Sequence, residues 1–578
     1  MNKRWNMRQV DLEAGRRLAE SLELPPLLGR LLLARGVSGP EEGRRYLNGG
    51  LDDLHSPWGL SGMEAAVERL LEALRRRQKV TVYGDYDVDG VTSTALLLKA
   101  FAALGLEADF YIPDRLKEGY GPNIPALEAL SRGGSALVVT VDCGINSVAE
   151  ARRAAELGLD LVVTDHHVEG PELPGCLAVI NPKVSPRYPY SMLAGVGVAY
   201  KLAQALLEKA GLQERAGLLE ECLELVALGT VCDVAPLDGE NRVLAREGIR
   251  RMRATRFVGL ECLCQVAGLE PRRLDSTALG FALGPRLNAG GRIGDPKLGV
   301  RLLLSRSRAE AMDMARALDA ENRQRQAMER SGVEEAKRMA RERLEATGDK
   351  VLVLASPDWH PGVVGLMASR VTEAFTRPSL VLSLHEGLAK GSARSRRPFH
   401  MVRALEQCGD LLLRFGGHEF AAGLTLEPGN IEALRLRMNR LADDQIGEED
   451  LQPSLTLDLA LSFTDLTPGL MKDLGRLSPF GSRNPRPLFA AFDCRLLPGT
   501  RAVGADNLHL KLSARQSGRV MPGIAFRMGP DLAALDLGRP VDLAFELGWN
   551  DYMGQRTLQL EVRDIRQDGP GQERKDGE

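Results

Sequence analysis

Hydrophobic and polar positions change their spacing several times along this chain, and each change marks a predicted element. In KVTVYGDYDVDG (Lys79 to Gly90), Val80 to Tyr83 form the short apolar, β-branched run of a buried strand. From Val91 on, TSTALLLKAFAALG has the apolar spacing and length of a helix. Further strands are predicted over Glu107–Pro113, Ala136–Asp142 and Asp160–Asp165, with helical stretches between them. That alternation, from Lys79 to about Asn181, predicts a parallel, doubly wound sheet at the start of a domain taken to run over residues 76–305. Residues 1–75 read as short helices, in LLGRLLLARGVS and MEAAVERLLEALRRRQ, expected to pack on this domain. Residues 306–346 predict one long connecting helix whose alternating charge is a solvated face. VLVLAS and SLVLSL then give strands of a second α/β domain, over 347–450.

From 451 to 568 the spacing becomes period two, in SLTLDLAL, LFAAFDCRLL, LHLKLSAR, VDLAFELGWN and RTLQLEVRDI. Five or so short strands joined by turns predict an OB-type β-barrel. Residues 569–578 are polar and expected to form a flexible tail. The fold class is thus multidomain α/β with a terminal barrel.

Composition adds exclusions. Of 578 residues, 44% are hydrophobic and 26% charged, the balance of a soluble globular protein. The first residues lack the apolar core of a signal peptide, and no apolar run approaches the roughly 20 residues that span a bilayer. Eight cysteines are scattered without a CxxC pair, and Cys262-x-Cys264 is too tight for a zinc knuckle, so reduced thiols in the cytoplasm are expected. A net charge of −3 does not announce a nucleic-acid binder, but binding depends on a local basic patch, not the total.

The candidate chemistry sits at strand ends. Asp85, Asp87 and Asp89 alternate after the first strand, and in extended backbone Asp87 and Asp89 would project to the same side. Carboxylates that close repel one another, which favours a cation or a proton between them. An isolated DxDG is more often a surface turn. Here, however, Asp142 closes a second β-branched run, and Asp165, His166 and His167 close a third. Metal-type residues at three strand ends of one sheet, all on the carboxyl side where ligands bind, form a constellation.

These motifs resemble the signature of the DHH phosphoesterase superfamily. A fourth, LELVALGTVCDVAPL, carries Asp233. GFALGPRLNAGGRIGDP, WHPGVVGLMASR, GSARS and GGHEFAAG are similar to those of the bacterial single-strand-specific 5′-to-3′ exonuclease family, the last resembling the DHHA1 module. The resemblance covers nearly the whole chain. It implies two divalent cations, Mn2+ or Mg2+, held by Asp87, Asp89, Asp142, His166 and Asp233, with Asp142 bridging. Four carboxylates balance two such cations, and an oxygen-rich set with one imidazole suits manganese or magnesium better than zinc. His167 is the candidate to contact a phosphoryl oxygen. Asp85 is taken either as a supporting partner or as an auxiliary ligand. Catalysis is thus assigned to His167, Asp142 and Asp85.

Metal chemistry alone would equally serve a pyrophosphatase, a cyclic-dinucleotide hydrolase or an oligoribonuclease. The substrate has to be read from the other domains. Ser392 and Arg394 lie in a small-residue loop suited to gripping phosphate. Arg115, Arg286, Asn288, Arg292 and His418 are further candidate substrate contacts. In the barrel, Phe526, Trp549 and Tyr552 are available for base stacking, and Arg515, Arg527 and Arg556 for phosphates. Arg483 stands where the family pattern leads one to expect glycine. A barrel for single strands fits a nuclease and is superfluous in a pyrophosphatase. The complete ligand set argues against a non-enzymatic scaffold of the Cdc45 type. The resemblance implies removal of mononucleotides from the 5′ end of single-stranded DNA in recombination and repair. The expected partners are single-strand-binding protein and a RecQ-type helicase, and a monomer is expected.

Overall fold

The computed structural model describes residues 3–212, 216–552 and 555–567. It divides into two compact units, one running from Gly50 to Leu451 and the other joining the residues before Gly50 to those after Leu451.

The larger unit begins with a five-stranded, wholly parallel sheet. Its spatial order is Ala108–Tyr111, Lys79–Gly84, Ser135–Val141, Asp160–Thr164, Ala178–Ile180. Alternate residues feed opposite cores: Val80, Val82, Val139 and Val141 pack on one face, Tyr83, Val138, Leu161 and Val163 on the other. A sheet covered on both faces needs such unbroken apolar strands, which is what the sequence shows. Strand order reverses between Lys79–Gly84 and Ser135–Val141, so a crevice opens beyond their carboxyl ends. The last strand, three residues long, is too short to have announced itself in the pattern.

One expectation changes here. The helix begins at Val88, not Val91, and Asp87 is its N-cap, accepting from the Asp89 and Gly90 amides at 2.9 and 3.1 Å. Asp89 therefore lies in the first helical turn, and the alternation argument for Asp87 and Asp89 does not apply. An Asp at a cap satisfies amides that would otherwise be orphaned, which is why the helix starts early.

The connecting helix spans Arg308–Thr347, 40 residues and about 60 Å of rise. The second α/β domain follows, with sheet order Arg414–His418, Ala421–Leu426, Leu388–Arg394, Ser379–His385, Leu352–Ser356. Only its last pair is parallel.

In the smaller unit, a seven-stranded sheet curls so that Phe489–Leu496 pairs with both Val541–Tyr552 and His509–Gln516. Of residues 1–75, expected to form one helical segment on the first domain, the helix Met63–Arg76 packs there, with Met63, Val67 and Leu70 in its core, whereas the residues before Gly50 belong to the smaller unit. Arg4–Met7 is a strand, paired in parallel with Ser454–Leu457. Leu18, Leu28, Leu31 and Leu32 share a core with Phe463, Phe489 and Phe545 of the barrel. A helical apolar stripe shows that a helix needs a partner, not which one. The Tyr552 side chain and the 569–578 tail lie outside the described residues. Among the described residues, no helix is long and apolar enough to cross a membrane.

Candidate metal centre and substrate cavity

The strand ends at the crevice deliver the predicted side chains to one place. Asp85 follows the first strand and is buried, and its Oδ1 has no hydrogen-bond partner. Asp142 ends the strand beside it with a left-handed backbone (φ +62°), and its Oδ1 is likewise buried and unpartnered. Asp89 accepts from the Gly195 and Val196 amides at 2.7 and 2.8 Å, at the start of the helix Gly195–Lys209. That helix comes so close that a Cβ on Gly195 would lie 2.7 Å from Asp142 Oδ1, so only glycine fits. His166 Nε2 lies 3.1 Å from Asp142 Oδ1, 3.8 Å from Asp89 Oδ2 and 3.9 Å from Asp233 Oδ2, with no hydrogen-bond partner of its own.

Three overlapping groups present ligand atoms within 4.8 Å of one another: Asp142, His166 and His167; Asp89, His166 and Asp233; Asp85, Asp87 and Asp142. Burial pushes the Asp85, Asp142 and Asp233 carboxyls well above their usual range, and the neighbouring carboxylates push them further. Asp89 is raised to about 7 by burial and then by Asp87. Burial, then His167, pushes His166 down to about 3, so its imidazole is neutral with a lone pair to give. Buried carboxylates and a neutral imidazole, with orphaned atoms aimed together, are a donor set that fits divalent cations.

His167 is held differently. Asp165 accepts from the Ile145, His166 and His167 amides at 2.9, 2.7 and 3.1 Å, and its Oδ1 lies 2.8 Å from His167 Nδ1. Burial alone would lower the His167 pKa, but the Asp165 bond and charge outweigh it and raise it. The Tyr120 hydroxyl sits 3.1 Å from the same nitrogen and donates to the Asp142 carbonyl at 2.9 Å. Asn181 donates to the His167 carbonyl at 2.9 Å, and Lys183 Nζ to that of His166. Sequence reasoning missed Tyr120, Asn181 and Lys183 as site residues, and noted Asp165 only as part of a triplet. Tyr120 sits in a loop and Lys183 in a three-residue 3-10 turn, Pro182–Val184, neither with a periodic signal, and Asn181 directly follows the short last strand.

A cavity of about 350 Å³ opens on this cluster, lined among others by Asp85, Asp87, Arg115, His167, Asn288 and Arg292. Asn288 and Arg292 share a face of the helix Gly284–Ile293 at i, i+4. Arg286, two residues earlier, is on the other side. Its guanidinium is taken by Asp319 at 2.9 Å and the Ala282 carbonyl at 2.8 Å, and the structure does not bring it to the cavity. Arg292 is pushed down to about 10 by burial and then by the charges of Arg115 and Arg325. Arg394 is lowered by burial and then by Arg115. Ser392 and Arg394 project from one strand toward Gly365, where a Cβ would lie 3.2 Å from Ser392 Oγ and 3.5 Å from an Arg394 nitrogen. Half-desolvated guanidiniums that repel one another make a site for an anion.

In the smaller unit, Arg556 lies over the Trp549 ring at 4.7 Å, and Phe526 is exposed with its edge toward His509.

Carboxylates and imidazoles at a sheet's switch point, facing arginines across a small cavity, define a metal-dependent phosphoesterase. Residues 79–230 match the N-terminal domain of the DHH family, 348–444 the DHHA1 domain and 457–564 the RecJ OB domain. The chain is 40% identical over 562 residues to the single-stranded-DNA-specific exonuclease RecJ of Escherichia coli, covering 94% of this chain and 96% of that one. It is 39% identical over 564 residues to the Bacillus subtilis RecJ, covering 97% and 70%. The crystal structure of RecJ in complex with Mn2+ from Thermus thermophilus matches with a TM-score of 0.82 at 33% identity, over 98% of this chain and 80% of that one. The chain belongs to the RecJ family.

Proposed function

We propose that this protein is a metal-dependent exonuclease that hydrolyses single-stranded DNA from the 5′ end to mononucleotides, in recombination and repair. The observation that carries the reading is a cavity that brings Asp85, Asp87, His167 and Asp233 together with the desolvated guanidinium of Arg292, beside the orphaned buried ligand atoms of Asp142 and His166. The relatives' activity on single-stranded DNA and the Mn2+ and Mg2+ complexes of the Thermus thermophilus RecJ agree with it.

Asp87, Asp89, Asp142, His166 and Asp233 would hold two divalent cations, Mn2+ or Mg2+, with Asp85 in support. When bound, such ions make a water nucleophilic at neutral pH and offset charge on the phosphoryl oxygens. Neutral His166 leaves a nitrogen free for a ligand bond. His167, oriented by Asp165 and Tyr120, donates to a phosphoryl oxygen as charge builds on it. Arg115, Arg292, Arg394 and Ser392 hold the terminal 5′ phosphate, which sets direction, while Asn288 and His418 orient the strand. In-line attack breaks the bond to the 3′ oxygen of the departing nucleotide.

One chain supplies all of these groups, so a monomer suffices. Eight cysteines without a disulfide fit the cytoplasm, where single-strand-binding protein and a RecQ-type helicase would supply substrate.

Single-stranded DNA carrying a 5′ label in one tube and a 3′ label in another, incubated with Mn2+, tests the reading. Early release of labelled mononucleotide from the first, and stepwise shortening of the second, is expected. Loss of both with Asp142→Ala is expected too. Activity untouched by Asp142→Ala would refute the ligand assignment. Hydrolysis of pyrophosphate or a dinucleotide, with DNA intact, would refute the substrate.

A further inference from the structure

Among the described residues, the two most exposed large apolar side chains are Phe281, at 81%, and Val234, at 67%. The segments that carry them meet at Cys232, the residue before Asp233. Val234 directly follows Asp233, at the end of the helix Ala216–Cys232. Its backbone is left-handed, φ +62°, a conformation that helix ends usually give to glycine and that a β-branched side chain adopts only at a cost. Phe281 is the middle residue of a π-helical turn, Leu279–Leu283, a distortion frequent at functional sites. The two segments are locked together. Cys232 Sγ donates to the Leu279 carbonyl at 3.5 Å, and a Cβ on Gly284 would lie 2.4 Å from that sulfur. Cys232 and Asp233 themselves line the cavity, so the two segments that carry the apolar pair meet at its edge.

A strained backbone and a distorted helix thus hold two apolar side chains out to water next to a cavity whose own tyrosines are already engaged, Tyr86 under the Arg115 guanidinium at 5.0 Å and Tyr120 against the His167 ring at 5.7 Å. The metal-type cluster and the arginines account for a phosphodiester. Nothing among them accounts for the flat apolar face of a base. We propose that Phe281, with Val234 beside it, is the platform on which a nucleobase flanking the scissile phosphodiester stacks, so that these two residues position the strand through its base while the arginines hold its phosphate. The inference rests on the exonuclease reading and adds the base contact to it. Stacking of this kind tolerates every base and suits an enzyme that must degrade any sequence.

The test uses DNA in which one abasic nucleotide is placed at each of the first four positions in turn, degraded by the full-length protein with Mn2+. Wild type is expected to be slowed about 5- to 100-fold at one position, the range of base–aromatic stacking. Phe281→Ala should be slowed as much on natural DNA and be indifferent to the abasic site there. Phe281→Trp should restore both rate and discrimination, and Phe281→Leu should restore neither. Because the ring is exposed, Tm and Mn2+ affinity should not move, which separates this loss from misfolding. Val234→Gly should melt no lower than wild type yet raise KM. Natural rates with Phe281→Ala, or undiminished discrimination between natural and abasic DNA, would overturn the proposal. A wild type inert on all DNA would overturn the exonuclease reading itself, and the platform with it.

Discussion

The His418 imidazole, from the second α/β domain, lies parallel to that of His167, from the first, with centroids 5.9 Å apart and planes 10° apart. Burial, then the His167 charge, lowers the His418 pKa, so a neutral ring faces a more basic one. His418 belongs to none of the three ligand groups. If His418 orients the strand as proposed, His418→Ala should leave Mn2+ affinity unchanged by calorimetry while reducing kcat/KM on single-stranded DNA at least about tenfold.

Asp165 is the organiser of the histidine pair, with three amides and one imidazole on a single carboxylate. Asp165→Asn keeps the shape but turns one oxygen into a donor, facing groups that themselves donate. The expected result is a fall in kcat of about 10²–10⁴, by analogy with amide substitution behind other catalytic histidines. Mn2+ affinity should drop about 10- to 100-fold as His166 loses its orientation. Single-turnover kinetics and metal titration read the two effects separately.

Lys201 is fully buried, 2.8 Å from Glu240 and donating to the His55 carbonyl at 2.6 Å. Glu240 also accepts from the His55 amide at 2.8 Å and from the Tyr188 hydroxyl. Lys201→Met strands a buried carboxylate and should cost about 3–5 kcal/mol. Adding Glu240→Leu should recover a large part of that. Urea unfolding of both variants and the double checks the cycle, and equal destabilisation by single and double variants would contradict it.

Glu224 gives a pH signature away from the site. It is buried on the helix Ala216–Cys232, its Oε2 has no partner, and burial raises its carboxyl to about 7. Between the ordinary value of 4.5 and 7 the folded state holds a proton that the unfolded state has released. Stability from this group is therefore intact below 4.5 and falls as pH rises through 7. Glu224→Gln should match wild type near pH 4 and exceed it by about 3 kcal/mol at pH 8. Thermal melts at the two pH values decide it.

Local pattern carried a great deal of this in the sequence. Asp85, Asp142 and Asp165 were legible because each ends a β-branched run that can only be a buried strand. Asp87 was legible as a residue but not as a cap, since capping depends on where the helix starts and apolar spacing locates that only to within a turn. Arg286 looked like Asn288 and Arg292 until the helix put it two residues, and so half a turn, out of line. Tyr120 reaches the centre from an aperiodic loop and Lys183 from a 3-10 turn too short to show a period, and only the fold brings them there. The parallel pairing of Arg4–Met7 with Ser454–Leu457 joins segments some 450 residues apart, a distance at which no sequence periodicity speaks.

That last pairing has a consequence for biosynthesis. The helices before Gly50 have their hydrophobic partners only after Leu451, about 400 residues later. At about 5–20 residues per second, a ribosome needs roughly 20–80 s to cover that interval. The two α/β domains can form while Leu28, Leu31 and Leu32 still wait, so helices made before both domains are buried after them. For that interval the apolar faces of these helices stay open to water, which makes the nascent chain prone to aggregate until the barrel strands appear.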